Sequence, residues 1–263
     1  IDDAWTNQTG AQEDIVYSVV PVSSAGCIGD AFTVTVGIEP EPITTASSTV
    51  SSTCSDVILG FNLGVSGAST YNITTNSNGL IQSSGTVSAG DGKASNELAD
   101  DSWTNTTGVT VNVIYTITPV SSFGCVGDSF TLTFPIDTEP IGANDTFVMC
   151  STDGTLNYDL QVANINGLGN NVASTFSWQA TSNPNVSGET TSPTTTGFIN
   201  DNLENLTNVN QTVLYTVTPF STANNCVGNN FTVSVVVEPE PVGLAVTGTL
   251  CSDEVLGNTY ALG

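Results

Sequence analysis

Basic side chains are almost missing from this chain. Its 263 residues include one Lys, no Arg and no His, against 25 acidic residues, for a formal net charge of −24. Nucleic acids and anionic membrane surfaces are recognised through Lys and Arg, so both are excluded as partners. The usual general bases and oxyanion stabilisers of enzymes are absent as well. A carboxylate pair of the glycoside-hydrolysing kind remains chemically conceivable, yet nothing in the sequence places two acids in a pocket, and the chain reads as non-enzymatic. The lone Lys93 excludes Lys–Asn isopeptide bonds as a repeated staple, because residues 142–241 contain no Lys. No apolar run approaches the roughly 18 residues of a membrane span. Initiator Met, leader and targeting motif are also missing, and the chain reads as a window of a longer protein. Hydrophobic residues are not scarce: at 38% they suffice for packed cores, unlike the composition of a disordered acidic tail.

What is present is repetition. Val16-Tyr17-Ser18-Val19-Val20-Pro21-Val22 leads to Gly26-Cys27-Ile28-Gly29-Asp30, then Phe32-Thr33-Val34-Thr35-Val36, then Glu39-Pro40-Glu41-Pro42. The phrase returns at Ile114–Val120, Gly124-Cys125-Val126-Gly127-Asp128, Phe130–Thr133 and Glu139-Pro140. A third copy runs through Leu214–Phe220, Cys226-Val227-Gly228, Phe231–Val235 and Glu238-Pro239-Glu240-Pro241. Tyr17, Tyr115 and Tyr215 therefore recur 98 and 100 residues apart, one domain length. A second phrase opens each repeat at Cys54-Ser55-Asp56, just after Cys150, and at Cys251-Ser252-Asp253. The expected organisation is a C-terminal part of a repeat (1–42), two complete repeats (43–141 and 142–241) and the N-terminal part of another (242–263).

Within a repeat the hydrophobic period is two. Leu59, Phe61, Leu63 and Val65 alternate with polar residues or Gly, as do Val111, Val113, Tyr115 and Ile117, and Phe130, Leu132 and Phe134. Such alternation marks strands with one buried face. About seven short strands per ~100 residues predict an all-β fold of antiparallel β-sandwich domains in an extended array. The one helical hint is Asp201–Leu206. Alternating Pro in the Glu-Pro segments stops the last strand and favours a stiff connector.

Six cysteines at recurring places indicate disulfides in an oxidising compartment. Three regular schemes are open: within a repeat (Cys54–Cys125 and Cys150–Cys226), between nearest neighbours (Cys27–Cys54, Cys125–Cys150 and Cys226–Cys251), or staggered (Cys54–Cys226). The nearest-neighbour scheme fits poorly, since a last strand of about 26 Å separates Cys125 from the next repeat while a bridge needs Cα atoms within ~7 Å. The staggered scheme suits a first strand that crosses its whole domain before Cys54. A catalytic thiol is excluded by the lack of His and Arg to activate it.

Acids gather where strands end. Asp100, Asp101 and Glu139, with Asp153 of the following repeat, form the candidate calcium site, one that stiffens a domain junction; the alternative is solvated charge that keeps the chain soluble. Asn-x-Ser/Thr triplets occur at Asn7, Asn72, Asn105, Asn144, Asn185, Asn205, Asn210 and Asn230, as expected by chance in so polar a chain. Trp178, with Ile73 at the same place in the other repeat, is expected in the core.

These phrases resemble the PKD-like (immunoglobulin-like) repeats of Bacteroidetes: Tyr115-Thr116-Ile117-Thr118-Pro119-Val120, Gly124-Cys125-Val126-Gly127-Asp128, Phe130–Thr133 and Glu139-Pro140, with Cys54-Ser55-Asp56 at the start. The turn Leu206–Asn208 is matched with Trp103–Asn105 in the same pattern. Such repeats occur in very large cell-surface proteins, including gliding-motility adhesins of the SprB type exported by type IX secretion. The resemblance implies both cysteines of a repeat in one module, which favours Cys54–Cys125 and Cys150–Cys226.

It also implies a non-enzymatic stalk or filament segment of a secreted adhesin, extracellular and attached to the outer membrane. Its expected partners are other repeats of the same chain, surface glycans or substratum, and the secretion and motility machinery. A carbohydrate-binding module array, contacting glycans through Trp5 and Trp103, and a structural envelope or sheath protein are the alternatives. Buried turn tryptophans favour the stalk over the glycan binder.

Overall fold

A computed structural model describes residues 2–44, 46–86, 88–152, 154–241 and 243. The alternating segments become strands. Val111–Val120 and Phe130–Asp137 pair antiparallel, and Thr70–Asn76 adds to the outer side of the first, with Gly90–Lys93 beyond it. The alternation sends Val113, Tyr115, Ile117, Phe130, Leu132, Phe134 and Ile136 inward. They meet Leu63, Leu80, Leu98 and Trp103 from the opposite layer, where Ile81–Ser84 pairs with Ser102–Thr104. Phe134 packs edge-on against both Phe61 and Tyr115, with centroids 5.4 and 5.6 Å apart. Each such buried side chain contributes about 1.5–3 kcal/mol of burial free energy.

The same plan recurs downstream. Gln211–Ser221 and Phe231–Glu238 pair antiparallel, Ser174–Thr181 adds to the first, and Asp145–Cys150 adds to the second. A second core forms on Tyr215, Trp178, Leu160, Ile165, Leu203 and Val235. Trp178 is buried, as expected, with its ring 5.6 Å from that of Tyr215 and its Nε1 donating to the Thr196 carbonyl. Upstream, Glu13–Val19 and Phe32–Ile38 form the matching hairpin. Its register is the same: Tyr17 faces Val34 as Tyr115 faces Leu132 and Tyr215 faces Val233.

First and last strands run parallel. Asp145–Cys150 registers against Val233 to Glu238, while Ser48–Thr49 and Thr53–Cys54 lie beside Phe130–Asp137. Each opening cysteine is thereby carried to the far end of its sheet, level with Asp137 or Glu238.

Two sequence expectations are corrected. Leu59–Val65 is extended and turns Leu63 and Val65 inward, but it is not a ladder strand. Its amides are taken by a loop: Leu59, Gly60 and Leu63 donate to the carbonyls of Asp101, Ala99 and Ser95. Asp201–Leu206 is not helical; it holds the short strand Glu204–Asn205. The helical segment is instead Leu160–Asn166, a seven-residue π-helix started by the Asp159 carboxylate, which accepts from the amides of Gln161 and Val162.

Candidate functional site: a cysteine-stapled junction

The segment Asp137–Gly142 joins the two cores. Thr138 is half-buried and Glu139 and Pro140 are buried, so the connector is packed rather than free. Asn170 holds it from the downstream side: its Nδ2 donates to the carbonyls of Glu139 and Thr106, and its Oδ1 accepts from the Ile141 amide. Ala143 is fixed next, donating to and accepting from the buried amide of Asn164 at 3.0 and 2.7 Å. The turn after Gln211–Ser221 closes the junction. A Cβ on Gly228 would stand 1.9 Å from the Pro140 carbonyl oxygen, so only glycine lets the connector pass.

Across this junction runs a disulfide. Cys54, at the far end of the upstream first strand, bonds Cys226, in the downstream turn, with Cα atoms 5.3 Å apart and a sequence separation of 172. Cys125 and Cys150 are free thiols. The pairing implied by family resemblance, Cys54–Cys125 and Cys150–Cys226, is therefore corrected to the staggered scheme. The parallel first strand is the reason. It delivers Cys54 to one end of its sheet, whereas Cys125 lies in the turn at the other end, beside Pro119 and Pro42.

The calcium expectation meets a different fate. Asp101 is fully buried, and its carboxylate accepts from Tyr115 Oη, Gln82 Nε2 and Ser88 Oγ. Burial raises its pKa, and the two hydroxyl hydrogen bonds oppose that shift. Asp100 is exposed, Glu139 belongs to the connector, and Asp153 lies outside the described residues. Among the described residues no three His, Cys, Asp or Glu side chains are grouped to hold a metal ion. The described members of the set, Asp100, Asp101 and Glu139, do not form a calcium site among themselves. Glu139 is unusual for another reason: burial first, then the nearby Asp56 charge, push its pKa up to about 7.

Two recurring hydrogen-bond units escape the sequence reading. Asn7, Asn105 and Asn205 are buried, and each Nδ2 donates to two backbone carbonyls: Ala11 and Ile38, Val109 and Ile136, Val209 and Val237. Each Oδ1 accepts from the amide and hydroxyl of the Thr two residues on. Three of the Asn-x-Thr triplets are thus structural clamps tying a turn to the last strand. The other unit is a tyrosine relay. Tyr17, Tyr115 and Tyr215 donate to Asp3, Asp101 and Asp201, and Trp5 and Trp103 donate to the first two hydroxyls.

Both units put Asn205 level with Asn105 and Leu203 level with Trp103. The match of Leu206–Asn208 to Trp103–Asn105 is therefore three residues out of register. The signal in the sequence is the spacing itself, since these Asn and Asp residues recur 98 and 100 apart like the tyrosines.

The junction also holds a cleft of about 240 Å³ between Val109, Thr138, Val172 and Asn224, smaller than the ~300–1,000 Å³ of ordinary ligand sites. Trp103 and Trp178 are buried, while Trp5 is 54% exposed. No helix among the described residues is long and apolar enough to cross a membrane.

The family described as "PKD-like domain" matches residues 1–42, 51–140 and 148–241. No curated protein matches the chain. Among solved structures it is similar to the human desmocollin-1 ectodomain, at 15% identity and a TM-score of 0.28, over 88% of this chain and 47% of that one. Mouse cadherin-23 EC22-24 matches at 10% identity and a TM-score of 0.32, over 87% and 74%. Human protocadherin-24 EC1-2 matches at 12% and 0.33, over 76% and 98%. The chain thus spans about half the length of the desmocollin-1 ectodomain.

Proposed function

The chain belongs to the PKD-like domain family, and from that premise we propose that it is a non-enzymatic stalk segment of a large secreted bacterial cell-surface adhesin, used in gliding motility and surface attachment. In this reading residues 43–141 and 142–241 are complete domains of a tandem array, with a partial one at 1–42 and another at 242–263. The array is exported by type IX secretion and anchored at the outer membrane. Its partners are further repeats of its own kind, surface glycans or substratum, and the motility machinery.

The observation that carries the reading is the staple across the packed connector. A disulfide between the end of one sheet and the turn of the next supports a part built to keep two units in a fixed relation. The parallel first and last strands add to it. Tension applied at the two ends of a unit pulls such strands past each other and loads all their cross-strand hydrogen bonds together. The six registered pairs from Asp145–Val233 to Cys150–Glu238 lie on that path.

A glycan-binding array is less well supported, because of its two expected contact residues Trp103 is buried against the Tyr115 hydroxyl, although Trp5 is exposed.

Small-angle scattering tests the stalk. A maximum dimension that grows by one unit length with every repeat added supports it; a compact particle of unchanged dimension overturns it.

A further inference from the structure

One connector position recurs with a different partner each time. Glu41, Glu139 and Glu240 each follow, three residues on, the carbonyl that takes the Asn clamp: that of Ile38, Ile136 or Val237. The amides of Glu41 and Glu139 donate to the carbonyls of Asn7 and Asn105. Glu41 Oε1 accepts from Gln8 Nε2 at 2.9 Å, and Glu240 Oε2 accepts from the Thr152 hydroxyl at 3.3 Å. Glu139 has no such donor. It is 4% exposed, and among the described residues no donor reaches its carboxylate.

In the place of Thr152 the upstream repeat carries Asp56. Both residues have left-handed backbone, with φ of 59° and 61°, and their amides donate to the carbonyls of Leu203 and Trp103. A second carboxylate thus stands where the other repeat offers a hydroxyl. Two bare carboxylates repel, and burying one without a donor is costly. One proton held between them removes both penalties, with the buried carboxyl donating and the other carboxylate accepting. Asp56 is exposed, and its Oδ1 already accepts from the Thr104 hydroxyl at 2.6 Å, which leaves Oδ2 to accept from Glu139. The raised pKa of Glu139, caused first by burial and then by the Asp56 charge, agrees with this arrangement.

No other charge competes. Asp137, two residues back, accepts from the Thr110 hydroxyl at 2.7 Å. Asn105, Thr106 and Asn170, which hold the connector, are neutral. Lys93 is engaged with Glu97 at 2.8 Å.

We propose that Asp56 and Glu139 share one proton and act as an acid-closed latch on the connector. With the proton bound, Glu139 is tied to the end of the first strand, two residues beyond Cys54. When the proton passes to water, two negative charges face each other, the connector is pushed away from Asp56, and the Cys54–Cys226 bridge becomes easier to reach. The downstream pair of Thr152 and Glu240 has its own hydroxyl donor and needs no proton. The inference concerns the upstream repeat and its connector, and it stands whether or not the chain is a stalk.

The sign follows from Glu139. Its pKa is raised while the latch is closed, so closure is favoured below the ordinary 4.5 and is lost as pH rises through about 7.

The test follows reduction of the Cys54–Cys226 bridge in the whole chain by a phosphine between pH 5 and pH 8, with the released thiols alkylated and counted by mass spectrometry. D56T is the reference. Thr152 shows that threonine takes this backbone conformation, and the new hydroxyl would serve Glu139 as Thr152 serves Glu240. Dividing the native rate by the D56T rate at each pH cancels the reductant's own pH dependence. The expected ratio rises at least about tenfold from pH 5 to pH 8. E139Q keeps an amide donor towards Asp56 at every pH, and its ratio to D56T is expected to stay flat.

A native ratio that does not change with pH would overturn the proposal. So would an E139Q ratio that climbs as steeply as the native one, since the proton would then belong to another group. A rising native ratio in a chain that scatters as a compact particle would sink the stalk and leave the latch standing.

Discussion

Glu139 shows how much one side chain at the junction controls. Its folded pKa of about 7 lies above the ordinary 4.5, so between those values the folded chain holds a proton that the unfolded chain has released. Stability from this group is therefore greatest below pH 4.5 and is lost as pH rises to about 7. Thermal midpoints measured from pH 5 to pH 8 are expected to fall for the native chain and to fall less for E139Q, with E139Q the more stable above pH 7. Equal slopes for the two proteins would show that Glu139 is not the titrating group. Asn105 acts through hydrogen bonds alone. N105A removes the donor to the Ile136 carbonyl and the acceptor of the Thr107 amide, while the Thr107 hydroxyl and the Val109 carbonyl keep each other. Urea unfolding is expected to show a loss of roughly 2–4 kcal/mol, since unsatisfied buried groups cost about 1–3 kcal/mol each and part of the turn relaxes to water. N210A, an exposed triplet, serves as the neutral control.

Among the elements, the strands Val111–Val120, Phe130–Asp137, Gln211–Ser221 and Phe231–Glu238 are legible in the sequence because one face is buried and the other wet, so their side chains alternate. Leu59–Val65 alternates for the same reason without being a strand. Periodicity reports which face is buried, not where the amides bond. Leu160–Asn166 is unreadable for a different reason: a seven-residue helix capped by Asp159 is too short to show a helical period. At the site, the six cysteines were visible but not their partners, because the choice depends on whether the first strand runs parallel to the last.

Glycine at the turn is an element-level constraint as well. G228A puts a Cβ against the Pro140 carbonyl, and G127A puts one 2.8 Å from the carbonyl of Pro42, which belongs to the other connector. G228A is expected to slow formation of the Cys54–Cys226 bridge in a redox buffer, and G127A to leave that bridge's rate unchanged. Equal rates for native chain and G228A would show that the turn does not set the junction.

At the scale of the whole molecule, the stalk reading places stiffness in the packed connector and the covalent cross-link rather than in a bound ion. Asp101, the buried member of the acidic group, already has its carboxylate engaged by three hydrogen bonds. Chelation with EDTA is accordingly expected to leave the thermal midpoint unchanged, and a drop restored by added calcium would refute this account.

The cross-link has a mechanical signature of its own. A chain pulled from its two ends cannot release the loop closed by Cys54 and Cys226, which stand 172 positions apart. That hidden length is about 60 nm at roughly 3.5 Å per residue. Single-molecule stretching under oxidising conditions is expected to draw out only the length outside the bridge, the strand Phe231–Glu238 included, and to leave residues 55–225 unextended. Adding a reductant should then lengthen the chain by about 60 nm. Bridges confined to each repeat would instead release residues 126–149 before reduction, because that stretch would lie outside both loops. Its extension in oxidising buffer therefore separates two stapled domains from a stapled junction, because only the latter carries load from sheet to sheet around the connector.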